Sequence, residues 1–139
     1  MRQTLDDLVR DGRLKAHVPD AAECARMLAA AQRNLRDAGL EGLSEESRFD
    51  LAYKAIMQCA MLAWLANGYR PTTSVPGHHR TMIQSLPMTL GITEDVVFVL
   101  DTLRKKRNLT DYSGELIDPA SVRECVMRAE ELIRRAGAA

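Results

Sequence analysis

Residues 44–68, SEESRFDLAYKAIMQCAMLAWLANG, decide the fold class. Ser44 is a natural N-cap, Glu45 and Glu46 stand where the positive end of a helix dipole favours acid, and Gly68 supplies a stop. Between them Phe49, Ala52, Tyr53, Ile56, Cys59, Ala60, Ala63 and Trp64 recur at intervals of three and four. Met57, Met61, Leu62 and Leu65 cover further faces toward the C-terminal end, and only Asp50, Lys54 and Gln58, spaced at four, keep a polar stripe. A helix apolar nearly all round is a central helix, or one that also meets a second subunit. The segment therefore predicts the axis of a helical bundle and makes a homodimer an expectation.

Helical signals continue on both sides. Upstream, Thr4 is an N-cap for a short helix from Leu5 to about Leu14, with Asp6 and Asp7 in its first turn. Pro19-Asp20-Ala21-Ala22-Glu23 predicts a second start, a capping box in which Asp20 receives the Glu23 amide and the Glu23 carboxylate reaches back. That helix runs to Ala38 and stops at Gly39, a residue that tolerates left-handed backbone. Its inward face reads Ala21, Cys24, Ala25, Leu28, Ala31, Leu35 and Ala38.

Downstream, Tyr69 to Gly77 carries Pro71, Thr72, Thr73, Ser74, Pro76 and Gly77 and reads as a loop. A fourth helix is predicted from His78 to Leu86, with Pro87 disturbing its end and Gly91 closing the region. Thr93 caps a fifth, with Val96, Val99, Leu100 and Leu103 inward and a polar end from Arg104 to Tyr112. Asp118-Pro119 opens the last, whose core face is Val122, Val126, Ala129, Ile133 and Ala136. The expectation is an all-α helical bundle of about five long helices plus a short N-terminal helix. It forms a single domain over residues 1–139 with its core at about 20–136.

Composition agrees with that class. Of 139 residues, 46% are hydrophobic and 27% charged, which suits one globular domain and argues against disorder. Only one Trp, three Tyr and two Phe are present, a stock that favours helices over sheets. Nineteen basic and nineteen acidic residues cancel, so any nucleic acid would have to be held by a local patch. Cys24, Cys59 and Cys125 fall within helical apolar patterns and read as reduced thiols. No run is long enough for a membrane span, and Met1 to Arg13 is too acidic for a signal peptide, so a cytoplasmic protein is expected.

The densest chemistry is Arg104-Lys105-Lys106-Arg107-Asn108-Leu109-Thr110-Asp111-Tyr112. On a continuing helix Arg104, Arg107, Asn108 and Asp111 share a face, and guanidinium groups beside an amide suit a phosphate. The same residues serve a structural purpose too, since bases complement a helix C-terminus and Arg107 with Asp111 is an ordinary surface pair. His78 and His79 are adjacent, without the i, i+4 spacing or the neighbouring Cys or carboxylate that a helical metal pair needs, so no metal or cofactor is expected. A helix beginning at Gly77-His78 could receive an anion on its free N–H groups. The methionines at 27, 57, 61, 82, 88 and 127 read as core filler, and Trp64 as a core or dimer-interface anchor.

Arg107-Asn108 near the end of the penultimate long helix resembles the HEPN superfamily, as do Arg48-Phe49-Asp50-Leu51-Ala52-Tyr53, the Gly68-Tyr69-Arg70 exit and the His78-His79 helix start. The resemblance spans Asp20 to about Ala136. It implies an RNA- or nucleotide-binding helical module, in many members a metal-independent ribonuclease toxin encoded beside a nucleotidyltransferase antitoxin. In such members an Arg and a His of two subunits meet at a dimer cleft on the scissile phosphate. Arg107 matches the family Arg and Asn108 the polar residue after it. The sequence departs from the pattern at Tyr112, which stands where the family has His; no His lies downstream of Arg107. Tyrosine, with an ordinary pKa near 10, is a poorer base than histidine, and five helical residues put it about 140° around from Arg107. His78 or His79 could stand in for the missing histidine. The expectations are phosphate binding by Arg104, Arg107, Asn108, His78 and His79 with Tyr112 as partner, ribonuclease activity through Arg107 and Tyr112 or a histidine, or a non-catalytic protein-interaction adaptor docking through Trp64.

Overall fold

The computed structural model describes residues 4–72 and 78–138. Thr73, Ser74, Pro76 and Gly77 of the predicted loop, and with them the Gly77 end of the fourth helix, lie outside the described residues. The helices are α1 (Leu5–Arg10), α2 (Ala21–Ala38), α3 (Glu45–Ala66), α4 (His78–Leu90), α5 (Glu94–Ser113) and α6 (Pro119–Ala138). The chain is an all-α bundle, and α3 is its axis.

α3 starts as its sequence dictates, with the Ser44 side chain accepting from the Ser47 amide. Phe49, Ala52, Ile56, Cys59, Ala60 and Trp64 are all but sealed from solvent. α2 and α6 pack along it, with α4 on a third side, and α5 reaches the core mainly by packing on α4. Each large apolar side chain so enclosed stabilises the fold by about 1.5–3 kcal/mol. Around that axis α5 and α6 keep part of the inward faces the spacing suggests and add neighbours to them. α5 buries the expected Leu100 and Leu103 with Val97, leaving Val96 and Val99 half-buried, and α6 buries the expected Val122, Ala129 and Ala136 with Cys125 and Leu132, leaving Val126 and Ile133 half-buried. On α2 only Ala31 and Ala38 are fully buried, and Ala21 and Ala25 are exposed.

Several terminal features differ from expectation for identifiable reasons. α1 ends at Arg10, and Leu14–Ala16 forms strand β1, paired antiparallel with β2 (Tyr69–Pro71) in the register Leu14↔Pro71, Lys15↔Arg70, Ala16↔Tyr69. The ribbon ties the N-terminal segment to the exit of α3 and seats Leu14 in the core at 1% exposure. The capping box at α2 is half made: Asp20 accepts from the Ala22 and Glu23 amides, while Glu23 turns to His17 at 2.7 Å. Gly39 has φ −88°, so α2 closes without a left-handed residue, whereas Gly68, just past α3, and Gly114, ending α5, are left-handed at φ 89° and 72°. Pro87 sits inside α4, where it removes one ladder hydrogen bond without ending the helix. α5 runs unbroken through Arg104–Tyr112.

Lys106 joins α5 to α6. Its Nζ donates to Asp118 Oδ1 at 3.3 Å and to Ser121 Oγ at 2.5 Å, and Asp118 accepts from the Ser121 hydroxyl and amide. The Ser121 bonds, then Lys106, hold the Asp118 carboxyl down to about 2. A depressed carboxylate stabilises the fold above its unfolded pKa, near 3.9, and that contribution is lost as pH falls toward 2. Urea midpoints measured between pH 4 and pH 2 are expected to fall less steeply for Asp118→Asn than for the wild type. Equal slopes would remove Asp118 from the acid response.

All three thiols are free; Cys59 and Cys125 are buried, which pushes each up to about 12, and Cys24 is half-buried. Among the described residues no helix is long and apolar enough to cross a membrane, and no cluster of three His, Cys, Asp or Glu side chains could hold a metal ion.

Candidate functional site

The polar stripe of α3 opens onto a cleft of about 520 Å³, within the range of small-molecule sites. Asp50, Tyr53, Lys54 and Gln58 line it from α3, His78 and His79 from α4, and Arg107 from α5. Met57 and Met61 of α3, Met27 of α2 and Met82 of α4 complete its walls. Four helices thus contribute, and the stripe that interrupts the apolar surface of α3 is its polar floor.

Tyr53 organises one end. Its ring is 2% exposed and stacks on Phe49 at 6.3 Å. The Arg107 guanidinium lies over that ring, 5.1 Å from its centroid, a cation–π arrangement that holds the charge at the cleft wall. The Tyr53 hydroxyl meets His79 Nδ1 at 3.4 Å, and His78 stands edge-on to His79 at 5.0 Å. Arg107 and His79 therefore both meet one buried aromatic residue.

The electrostatics follow from this packing. Burial, opposed by Arg107 and Arg104, pushes the Tyr53 phenol up to about 12, so it stays protonated and can only donate or accept a neutral hydrogen bond. Burial, then the neighbouring His78, Arg107 and Arg104, lowers His79 below the ordinary histidine value and keeps it neutral at pH 7. Burial and then Asp111 raise Asp50, against the pull of Arg107. Arg107 reaches its helical neighbour Asp111 only at 3.9 Å, with both side chains partly exposed, so that pair ties it loosely.

Of the residues singled out from the sequence, Arg107, His78 and His79 meet in the cleft. Arg104 does not line it: its Nε is paired with Asp101 at 2.9 Å, and it acts on Tyr53 and His79 through its charge. Asn108 is half-buried off the cleft, and Tyr112 is 90% exposed, far around the helix as its five-residue offset requires. Trp64 is 0% exposed and offers no docking surface. Sequence reading missed Tyr53 and the four cleft methionines, having assigned all of them to the core; the polar stripe at spacing four was the available signal. Met127 is 49% exposed and fills no core.

No family model, curated protein or solved structure matches this chain.

Proposed function

We propose that the cleft binds RNA or a nucleotide by a phosphate, with Arg107 as its principal ligand and His78 and His79 lining the same cleft. The observation that carries this reading is the Arg107 guanidinium, held over Tyr53 inside a concavity and only loosely paired with Asp111. A planar fork of donors so held matches phosphate oxygens. With a net charge of zero, affinity comes from this locus rather than from the field of the molecule. In this reading the chain is a HEPN-like module of a toxin–antitoxin or stress system, a homodimer, with a nucleotidyltransferase as its protein partner. Filter binding of RNA and nucleotide by wild type and Arg107→Ala tests it; equal retention by both ends it.

The juxtaposition of His79 with Arg107 favours a second reading, a metal-independent endoribonuclease. With Nδ1–H donating to the Tyr53 oxygen, His79 Nε2 would present a lone pair and take the proton of a 2′-OH. The 2′-oxygen then bonds to phosphorus as the bond from phosphorus to the 5′-oxygen breaks, Arg107 stabilises the added charge, and the 5′-oxygen takes a proton from water, giving 2′,3′-cyclic phosphate and 5′-OH ends. Cleavage of total RNA is expected to survive chelator and to fall about 10²–10⁴-fold in His79→Ala. Because His79 lies below 6.5, the rate should be flat above neutral pH and decline only on the acid side. An RNA left intact by the wild type rejects this reading and leaves phosphate binding standing.

A further inference from the structure

The phosphate reading accounts for one end of the cleft and leaves the other unexplained. Beyond Tyr53, the walls are thioethers: Met57 and Met61 from α3, Met82 from α4 and Met27 from α2. α4 runs alongside α3 in the same sense, since His79 meets Tyr53 while Thr89 shares a small pocket with Leu62 and Ala63 further along. Met82 therefore falls beside Met57, past the Arg107–Tyr53–His79 group. α2 runs the opposite way, with Cys24 at that same small pocket, which brings Met27 to the Met61 end.

We infer that this methionine-walled end receives the heteroaromatic base of the nucleotide whose phosphate Arg107 holds. The inference rests on the phosphate reading. Thioether sulfur is polarisable and packs favourably against aromatic rings, and unbranched methionine adapts to different ring outlines. Tyr53 and Met61 are eight residues apart, about 12 Å along α3, which suits one nucleotide with its phosphate at one end and its base at the other. A polar group stands where a base edge needs one: Gln58 lines the cleft, and its Oε1 accepts from Asn34 Nδ2 at 2.7 Å. That bond fixes the amide and turns its own N–H groups to other acceptors, such as a base carbonyl or ring nitrogen. A sugar phosphate would leave this wall unused.

Methyl-labelled methionine NMR reads the proposal directly, because a bound base shifts nearby methyl signals through its ring current. AMP and UMP are expected to move the ε-methyl signals of Met27, Met57, Met61 and Met82 and to leave Met88 and Met127, which lie off the cleft, in place. Ribose 5-phosphate should leave all six in place and bind at least tenfold more weakly than AMP. Tenfold tighter binding of a short single-stranded oligoribonucleotide identifies the nucleotide as part of a strand; equal binding identifies it as free. Ribose 5-phosphate binding as well as AMP, with the four methyls unmoved by nucleotides, overturns the base site while leaving the phosphate site intact. Adenosine moving the same four methyls in Arg107→Ala as in wild type, with AMP binding both equally, keeps the base site and removes the phosphate role of Arg107. Binding of none of these probes overturns both.

Discussion

Replacing Arg107 by alanine is expected to reduce retention of RNA and nucleotide about ten- to a hundred-fold while costing the fold little. A charge-assisted hydrogen bond contributes about 1.5–3 kcal/mol, and about 1.4 kcal/mol is a factor of ten in affinity. Against this, the folded protein loses one cation–π contact worth about 0.5–1 kcal/mol and a long, exposed pair with Asp111 worth at most about 1 kcal/mol. The effect on binding should therefore exceed the effect on stability. Arg107→Lys keeps the charge but not the planar fork, and should retain ligand at an intermediate level. Titration at rising salt adds a check, since a lost phosphate contact lowers the dependence of affinity on salt. If the alanine variant binds as wild type does, with the same salt slope, the guanidinium is a surface group and the cleft has another purpose.

What could be read in advance, and what could not, divides along the range of the interactions involved. α3 was legible because an apolar stripe at intervals of three and four has one physical meaning, burial, with Ser44 capping its start and the left-handed Gly68 two residues past its end at Ala66. Arg107 was legible as a cation on a helix, but its purpose depends on Tyr53, fifty-four residues earlier, which periodicity assigns to the core. Tyr53 is indeed buried; what its spacing cannot convey is that it also lines a cavity. The same holds for Met57 and Met82, enclosed yet forming a wall. The ribbon escaped notice because three residues on each side carry too little alternation to read, and it exists only where Leu14–Ala16 meets Tyr69–Pro71 in space. Glu23 was given to its own helix end, and a histidine six residues away takes it instead. Local signals therefore determined the helices, while the contents of the cleft were set by contacts between them.

The largest stability change is expected at Trp64, the bulkiest fully enclosed side chain of the central helix. Trp64→Ala removes the indole and leaves a cavity in the core, and such truncations cost about 3–5 kcal/mol. That is a large share of the roughly 5–15 kcal/mol that holds a domain of this kind together. Urea denaturation should show the midpoint falling sharply with the slope unchanged. Trp64→Phe separates two components of this loss. The indole Nε1–H finds no acceptor among the described residues, and a buried donor left unpaired costs about 1–3 kcal/mol. Phenylalanine gives up part of the apolar area but removes that donor, so its net cost is expected to stay below about 1.5 kcal/mol. Because α3 carries the cleft floor, ligand binding in Trp64→Ala should fall in step with the unfolded fraction and recover when a stabilising osmolyte such as sucrose restores folding. A Trp64→Ala variant destabilised by less than 1 kcal/mol would show that α3 is not the axis around which the bundle is built, and the cleft geometry that depends on its rigidity would lose its footing.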